Sequence, residues 1–442
     1  MRRPWVSRLK FVALVGVLAL VATGCWRPLD LDGPGVPGGN GRVGDALDSS
    51  AISPIAYNGS VGVVSTVNPV THRVRVGIDT AGLPTGGTWN FQDLDGPGVA
   101  GAGRTGDNIG LDVATVRTQG KQQSGVHVFY THNGVLRDAY SVDAISWTFT
   151  DLDGPGVAGG NGRTASTVSG PTSAVVEGAG LDGAVHVFYI RNVGPLNQYV
   201  LRHAWFDGST WRFEDLDAQY IGRYGSAVWK DGVLHYFSWH EGGWLRHAWN
   251  DGTWHFEDLD GPGIPGGNGR TGEFTGAINH AVVWNGQLHV FTTRHAAPAP
   301  FNQVVVLRHA WFDGTTWRFE DVDGPGVAGG GGRTSDFVAT SFGSQAAGVI
   351  PTTNELHILY DRQSSPPGLR DAWLDASGWH FGDVDGVAAT SSPGNVTADV
   401  GTSAAVAFYA GQLHAFFFDR TNHRLRWACA TGGSAAAPGA CV

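Results

Sequence analysis

Trp211-Arg212-Phe213-Glu214-Asp215-Leu216-Asp217 decides the fold, because its grammar, W-x-F-x-D-[LV]-D, returns along the chain. It stands at 89–95, 147–153, 254–260, 317–323 and 379–385, and again at 26–32 with Pro28 in place of Phe. The first aspartates fall at 30, 93, 151, 215, 258, 321 and 383, spaced 63, 58, 64, 43, 63 and 62 residues apart. Self-similarity at this period marks propeller blades or solenoid units, each unable to bury its apolar face alone.

The tightest unit, 218–260, reads as four short strands. Residues 226–230 lead into an Asp231-Gly232 turn, a strong hairpin signal. Residues 234–238 and 244–249 follow, then Asp251-Gly252 and the motif at 254–260. Four aromatic-rich antiparallel strands per repeat predict an all-β fold, a β-propeller of seven four-stranded blades. A six-bladed ring with a degenerate first unit is the alternative. The last unit has strands at 402–409, 412–418 and 424–429 but no motif after them, whereas 26–32 is a motif without a unit. The N-terminal strand is therefore expected to complete the last blade and remove two exposed strand edges.

Composition agrees. Of 442 residues 42% are hydrophobic and 15% charged, against roughly 25% charged in ordinary domains. That excludes a charge-rich disordered chain. The formal net charge of −10 argues against a nucleic-acid partner.

Arg2, Arg3, Arg8 and Lys10 precede an apolar run at 11–21, too short for a stable membrane span, which ends in Ala22-Thr23-Gly24-Cys25. This ending resembles the bacterial lipobox. The resemblance implies a signal peptide over 1–24, lipidation of Cys25, and a propeller over 25–442 held at the cell membrane or surface. Removing 1–24 takes away four basic residues and no acid, leaving −14. Cys429 and Cys441 then remain, in an exported setting where a disulfide persists and would be worth about 3 kcal/mol.

The tryptophans and phenylalanines of the motif are expected to pack blade against blade. Period two puts Trp211, Phe213, Asp215 and Asp217 on one face. The two aspartates precede a Gly-rich loop with a recurring arginine: Arg42, Arg104, Arg163, Arg223, Arg270 and Arg333. A clamp between these aspartates and the loop arginine is expected; calcium is the alternative, although the spacing is not that of an EF-hand. Strand two carries His127, His186, His235, His289, His357 and His414, and strand three His203, His247 and His309. One histidine per blade spreads them around a ring, so no metal centre is expected.

Signals for catalysis are thin: there is no G-x-S-x-G and no H-E-x-x-H. Repeat symmetry is broken at 192–200, at 296–306 and in the short connection 218–224. The turns Asp207-Gly-Ser-Thr-Trp211 and Asp313-Gly-Thr-Thr-Trp317 resemble part of the Asp-box hairpin of sialidase propellers, a folding element.

The unit Leu-His-Val-Phe … Leu-Arg-His-Ala-Trp-x-Asp-Gly-x-x-Trp resembles blades of the fucose-specific propeller lectins of fungi and bacteria, over nearly all of residues 25–442. In that family an arginine on strand two, a glutamate on strand three and stacking aromatics form each site. Here the arginine position holds histidine in six blades and Arg75 in the first, and the glutamate position holds His203, His247, His309, Asp138 or Asp371. No blade keeps the Arg–Glu pair. The resemblance thus implies glycan binding without fucose specificity. The candidate ligand residues are Arg202, Trp205, Arg246, Trp249, Arg308, Trp311, Arg370 and Trp373. The expectation is a monomeric, non-catalytic, lectin-like lipoprotein binding glycans at several equivalent sites. A scaffold for a surface protein, or a propeller glycosidase or lyase, stays open.

Overall fold

A computed structural model describes residues 26–430, apart from 27, 43–45, 58, 68–71, 80–87, 120–123, 179–180, 195–197, 219–220, 296–304, 331, 335, 339–344, 364–366, 387–395 and 397. The expected export signal, Cys25 and Cys441 lie outside these residues. The described residues form seven antiparallel sheets and no helix. Blades 1 to 6 span 47–95, 109–153, 168–218, 221–260, 274–323 and 345–386, and blade 7 spans 400–430. Seven blades stand, the first included, so the six-bladed alternative is set aside.

Local chemistry sets the hairpins. Asn133-Gly134, Asp231-Gly232 and Asn285-Gly286 all have positive φ at both residues, the two-residue turn whose twist matches paired strands. The ring closes as expected. Leu29–Asp32 pairs antiparallel with Arg424–Ala430, with Leu29 opposite Trp427. Neighbouring innermost strands touch all the way round. The apolar core lies between blades: Val61, Val63, Trp89 and Phe91 of blade 1 pack with Phe416, Leu425 and Trp427 of blade 7.

The aspartate pair departs from simple alternation. In every blade the register slips between the two aspartates, so Leu31, Leu94, Leu152, Leu216, Leu259, Val322 and Val384 each sit at a bulge. A bulge re-aims the side chain that follows it. Consequently the first aspartate faces an arginine on strand three of its own blade, and the second faces the matching arginine of the next blade. Arg202 Nε lies 2.6 Å from Asp153 of blade 2 and its terminal nitrogen 2.7 Å from Asp215. Arg308 joins Asp260 and Asp321 at 2.9 and 2.7 Å. Arg75, Arg137, Arg246, Arg370 and Arg426 repeat the arrangement, the last joining Asp385 to the N-terminal Asp30. Seven clamps thus bind seven blades.

The expected clamp exists, then, but with a different arginine. The loop arginines Arg42, Arg104, Arg163, Arg270 and Arg333 donate instead to the carbonyl of the bulged residue, at 2.6–2.7 Å. Each guanidinium also lies 4.9–5.7 Å from the ring centre of the next blade's motif phenylalanine. The second aspartate's other oxygen accepts from the loop backbone, as Asp95 does from Gly96 and Thr105 at 2.9 and 2.8 Å. Arginine thus occupies one oxygen of the second aspartate and amide N–H groups the other.

Candidate functional site

Strand three carries all eight residues expected to bind ligand. Arg202, Arg308 and Arg370 are buried within the clamps, and Arg246 is half-buried there. Their donors face carboxylates rather than solvent. Trp373 is buried; Trp205, Trp249 and Trp311 are half-buried. Each ring lies along an imidazole: Trp205 on His203 at 5.1 Å and Trp311 on His309 at 4.9 Å. Trp249 stacks with both His247 and His255, each at 4.9 Å, and Trp373 stacks with both His357 and His380. A sugar stacks on an open ring face, and these two rings have imidazoles against them.

The strand-two and strand-three histidines form buried chains. His186 Nδ1 meets His203 Nε2 at 2.8 Å, His203 Nδ1 meets Glu214 at 3.0 Å, and the Trp254 indole of the next blade donates to Glu214 at 2.8 Å. His235–His247–Glu257–Trp317 and His289–His309–Glu320–Trp379 repeat it. A carboxylate only accepts, so Nδ1 of His203 carries the proton and its Nε2 accepts from His186; the partners assign the tautomers. Burial lowers His203 and His235 to about 4 and His289 to about 3, so these three imidazoles are neutral near pH 7. They join neighbouring blades through Glu214, Glu257 and Glu320, whose side chains stay 36%, 42% and 38% exposed.

The axis of the ring is different. A cavity of about 390 Å³ is lined by the innermost strands of all seven blades. The strand registers place one equivalent residue per blade around it: Ser53, Ala114, Ser173, Ser226, His280, Ala346 and Ala405. Six are small and one is an imidazole. In all three serine-bearing blades the hydroxyl is spent on the next blade, Ser53 accepting from the Thr115 N–H at 3.1 Å, Ser173 from the Ala227 N–H at 2.9 Å and Ser226 from the Ala281 N–H at 3.0 Å. His280 has no side-chain hydrogen-bond partner among the described residues. It is half-buried, and loss of water lowers it to about 4, so it is a neutral imidazole at pH 7.

The residues beside it also leave the pattern. The innermost strand of blade 5 is split into Phe274–Thr275 and His280–Trp284. Asn279, in the break, is 2% exposed. Its amide N–H groups donate to Gly276 O at 2.7 Å and to Tyr224 O of blade 4 at 3.1 Å, which fixes which amide atom is oxygen. That oxygen, Oδ1, is buried and has no partner among the described residues, an uncommon and costly state for an amide carbonyl. Tyr224 is held at φ +59°, a left-handed conformation rare for a bulky residue. Gly225 follows, where a Cβ would come within 2.1 Å of the Tyr236 hydroxyl; that hydroxyl passes across the strand to Thr172 of blade 3 at 2.8 Å. Asp112 is the one charged residue in the described wall.

Tyr224 lies at the end of the short connection 218–224, whose asymmetry the sequence exposes. Asn279 and His280 are not among the residues expected from sequence, whose histidines all come from strands two and three. The signal was present as one histidine in a strand position otherwise filled by serine and alanine. Of the other two asymmetric stretches, 195–197 and 296–304 lie outside the described residues.

No protein-family model matches the chain, and no curated protein matches it. Solved structures do. An ulvan lyase of a polysaccharide-lyase family, bound to a saccharide of glucuronic acid and sulfated rhamnose, is 14% identical with a TM-score of 0.52. The alignment covers 88% of this chain and 95% of that one. The Aleuria aurantia lectin in complex with α-methyl-L-fucoside is 13% identical, TM-score 0.43, over 78% of this chain and 95% of that one. The α-L-arabinofuranosidase of Fusarium graminearum with arabinobiose is 11% identical, TM-score 0.44, over 72% and 91%. At such identities the similarity establishes the propeller fold alone.

Proposed function

We propose that the protein is an exported, lipid-anchored propeller that binds carbohydrate without catalysis, and that it takes one glycan in the axial cavity. The observation that carries this reading is the cavity wall. It carries serine and threonine hydroxyls from several blades and departs from the repeat at one place, His280. A concave site with a few convergent polar groups is where small ligands bind. The ulvan lyase, whose fold matches best among the structures above, acts on a polysaccharide, and we carry over the carbohydrate class only. Hydrolysis of glycosides uses two carboxyl groups across the scissile bond. The described wall offers Asp112 alone, which favours binding over hydrolysis.

Several equal sites on strand three would give a stoichiometry above one. The clamps and imidazole stacks around those residues favour a single site instead. A glycan array followed by calorimetry tests this. A stoichiometry near one with no turnover is expected; several sites per chain would restore the strand-three tryptophans, and no binding to any glycan would favour a protein partner.

Trp26, the residue after Cys25, is 3% exposed, and its indole N–H donates to Asp371 of blade 6 at 3.3 Å. A lipid on Cys25 would therefore leave the chain beside blades 6 and 7 with no linker. Cys25→Ser should release the protein from the membrane fraction, and unchanged fractionation would sink the anchor. Cys429 is buried at the end of the last strand. Its proposed bridge to Cys441 predicts a mass two hydrogens lower than that of the reduced chain.

A further inference from the structure

We propose that the axial cavity selects neutral sugars against uronic and sulfated ones, with His280 as the group that holds a sugar hydroxyl. The proposal rests on the glycan reading above and deepens it. Three observations carry it, and they are independent of one another.

First, His280 replaces a serine or alanine at one position of a seven-residue ring, and no described residue bonds its side chain. Its equivalents Ser173 and Ser226 use their hydroxyls to tie neighbouring blades. A packing role would call for a small residue here, as in the other six blades. A neutral imidazole in this place offers one N–H and one lone pair, which suits a hydroxyl that both donates and accepts.

Second, the wall beside His280 is held rigid: the Asn279 amide donates to Gly276 O at 2.7 Å and to Tyr224 O of blade 4 at 3.1 Å, which fixes the break in the innermost strand of blade 5 against its neighbour.

Third, the charge of the wall has one sign. No lysine or arginine is among its described residues, and Asp112 is negative. The clamp arginines that could have offered positive charge are each held between two aspartates. A carboxylate or sulfate entering here would lose water, meet no cation and face Asp112. A neutral sugar pays none of these costs.

The experiment titrates the full-length exported protein with D-galactose, D-glucose, L-fucose and L-arabinose, and with D-galacturonate and D-glucuronate. Each uronate differs from its parent hexose by one carboxylate. Ligand-observed NMR ranks the panel and calorimetry measures the binders. At least one neutral sugar should bind at least tenfold more tightly than its uronate or than any uronate in the panel. His280→Ser, which installs the residue found in blades 3 and 4, should leave the melting temperature close to that of the parent and weaken that sugar at least tenfold. Asp112→Asn supplies an independent arm: the preference for hexose over uronate should shrink to about threefold or less.

The outcomes separate. Uronates binding as well as their hexoses, or a preference untouched by Asp112→Asn, would overturn neutral selection and leave glycan binding standing. Neutral sugars bound equally by the parent and by folded His280→Ser would overturn the cavity as the site. Should no sugar in the panel or on an array bind, the glycan reading itself falls, and this inference with it.

Discussion

The Asp–Arg clamps and the axial ring treat one sevenfold repeat in opposite ways. At the clamps every blade supplies the same three charges, and the pattern runs unbroken through the chain ends, where Arg426 meets Asp30. On the axis six blades supply serine or alanine and the fifth supplies His280. Cohesion needs the same contact at every seam, because one weak seam opens the ring. Recognition needs a place that differs from its neighbours, and departures from a repeat's own rule are where function is expected. The strand-three arginines and tryptophans are conspicuous because they recur, and recurrence here belongs to the first kind.

The sharpest way to break this contrast is at the closure. Deleting 26–32 removes a strand, the Asp30 and Asp32 arms of two clamps, and the buried Trp26. Cooperative unfolding should be lost, by calorimetry and by denaturant. A truncated chain that melts like the parent would show that the clamps do not hold the ring.

Next in size is a single clamp. Arg308 and Asp260 have side chains 1% and 0% exposed, with Asp321 beside them. Arg308→Ala strands two carboxylates, one of them fully buried. Removing one partner of a buried pair costs about 3–5 kcal/mol. A loss below about 1 kcal/mol would mean that water reaches the clamp and that its charges are not what joins the blades.

The histidine chains predict a graded effect with pH. Histidine titrates near 6.5 in the unfolded chain. Burial lowers His203, His235, His280 and His414 to about 4 and His289 to about 3, and lowers His247 and His309 as well. Between these limits the unfolded state holds more protons. Stability is therefore full above about pH 6.5 and falls as pH drops toward 4, by about 1.4 kcal/mol per pH unit for each proton of difference. His357 runs the other way. Burial lowers it, but Asp371 and Glu355 outweigh that and lift it to about 9. Its contribution is complete below about 6.5 and is lost as pH rises through 9. Melting temperatures at pH 7, 5.5 and 4.5 should decline in order; a flat profile would mean that the chains are hydrated.

How far the sequence could be read depends on the reach of each contact. The motif repeats every 43 to 64 residues, and a hairpin is local, so blades, turns and even the closing strand were legible from spacing and from one orphan motif. The clamp was half legible. The loop arginine lies ten or eleven residues past the bulged residue whose carbonyl it meets, which makes it the nearest basic partner for the aspartates in sequence. Their actual partners come from strand three, and for the second aspartate this means one blade away, as Arg202 is from Asp153 at a separation of 49 residues. Only the bulge decides that direction, and a bulge leaves no mark in a run such as Asp-Leu-Asp. The cavity was the least legible part. Tyr224, Asn279 and His280 meet because two innermost strands pass each other at the axis, and a single unit of sequence does not contain that encounter.

The smallest predicted effect is the most exacting check on the clamps, since it keeps the chemistry and changes only the depth. Arg318 lies ten residues from Arg308 in the same hairpin and also pairs with an aspartate, Asp313, at 2.7 Å. The Arg318 side chain is 43% exposed. Arg318 and the Thr315 and Thr316 amide N–H groups hold Asp313 well below the usual carboxylate range, so it stays charged in mild acid. An exposed pair gains little, because water competes for both charges and salt screens what remains. When Arg318 is removed, Asp313 keeps its two backbone donors and returns the rest of its surface to water. Arg318→Ala should shift the melting temperature by about a degree or less, and that shift should shrink further as salt is raised. Arg308→Ala should cost most of its stability at any ionic strength, because its carboxylates are out of reach of the salt. Equal losses from the two substitutions would show that an arginine–aspartate contact, and not its burial between blades, is what the repeat maintains.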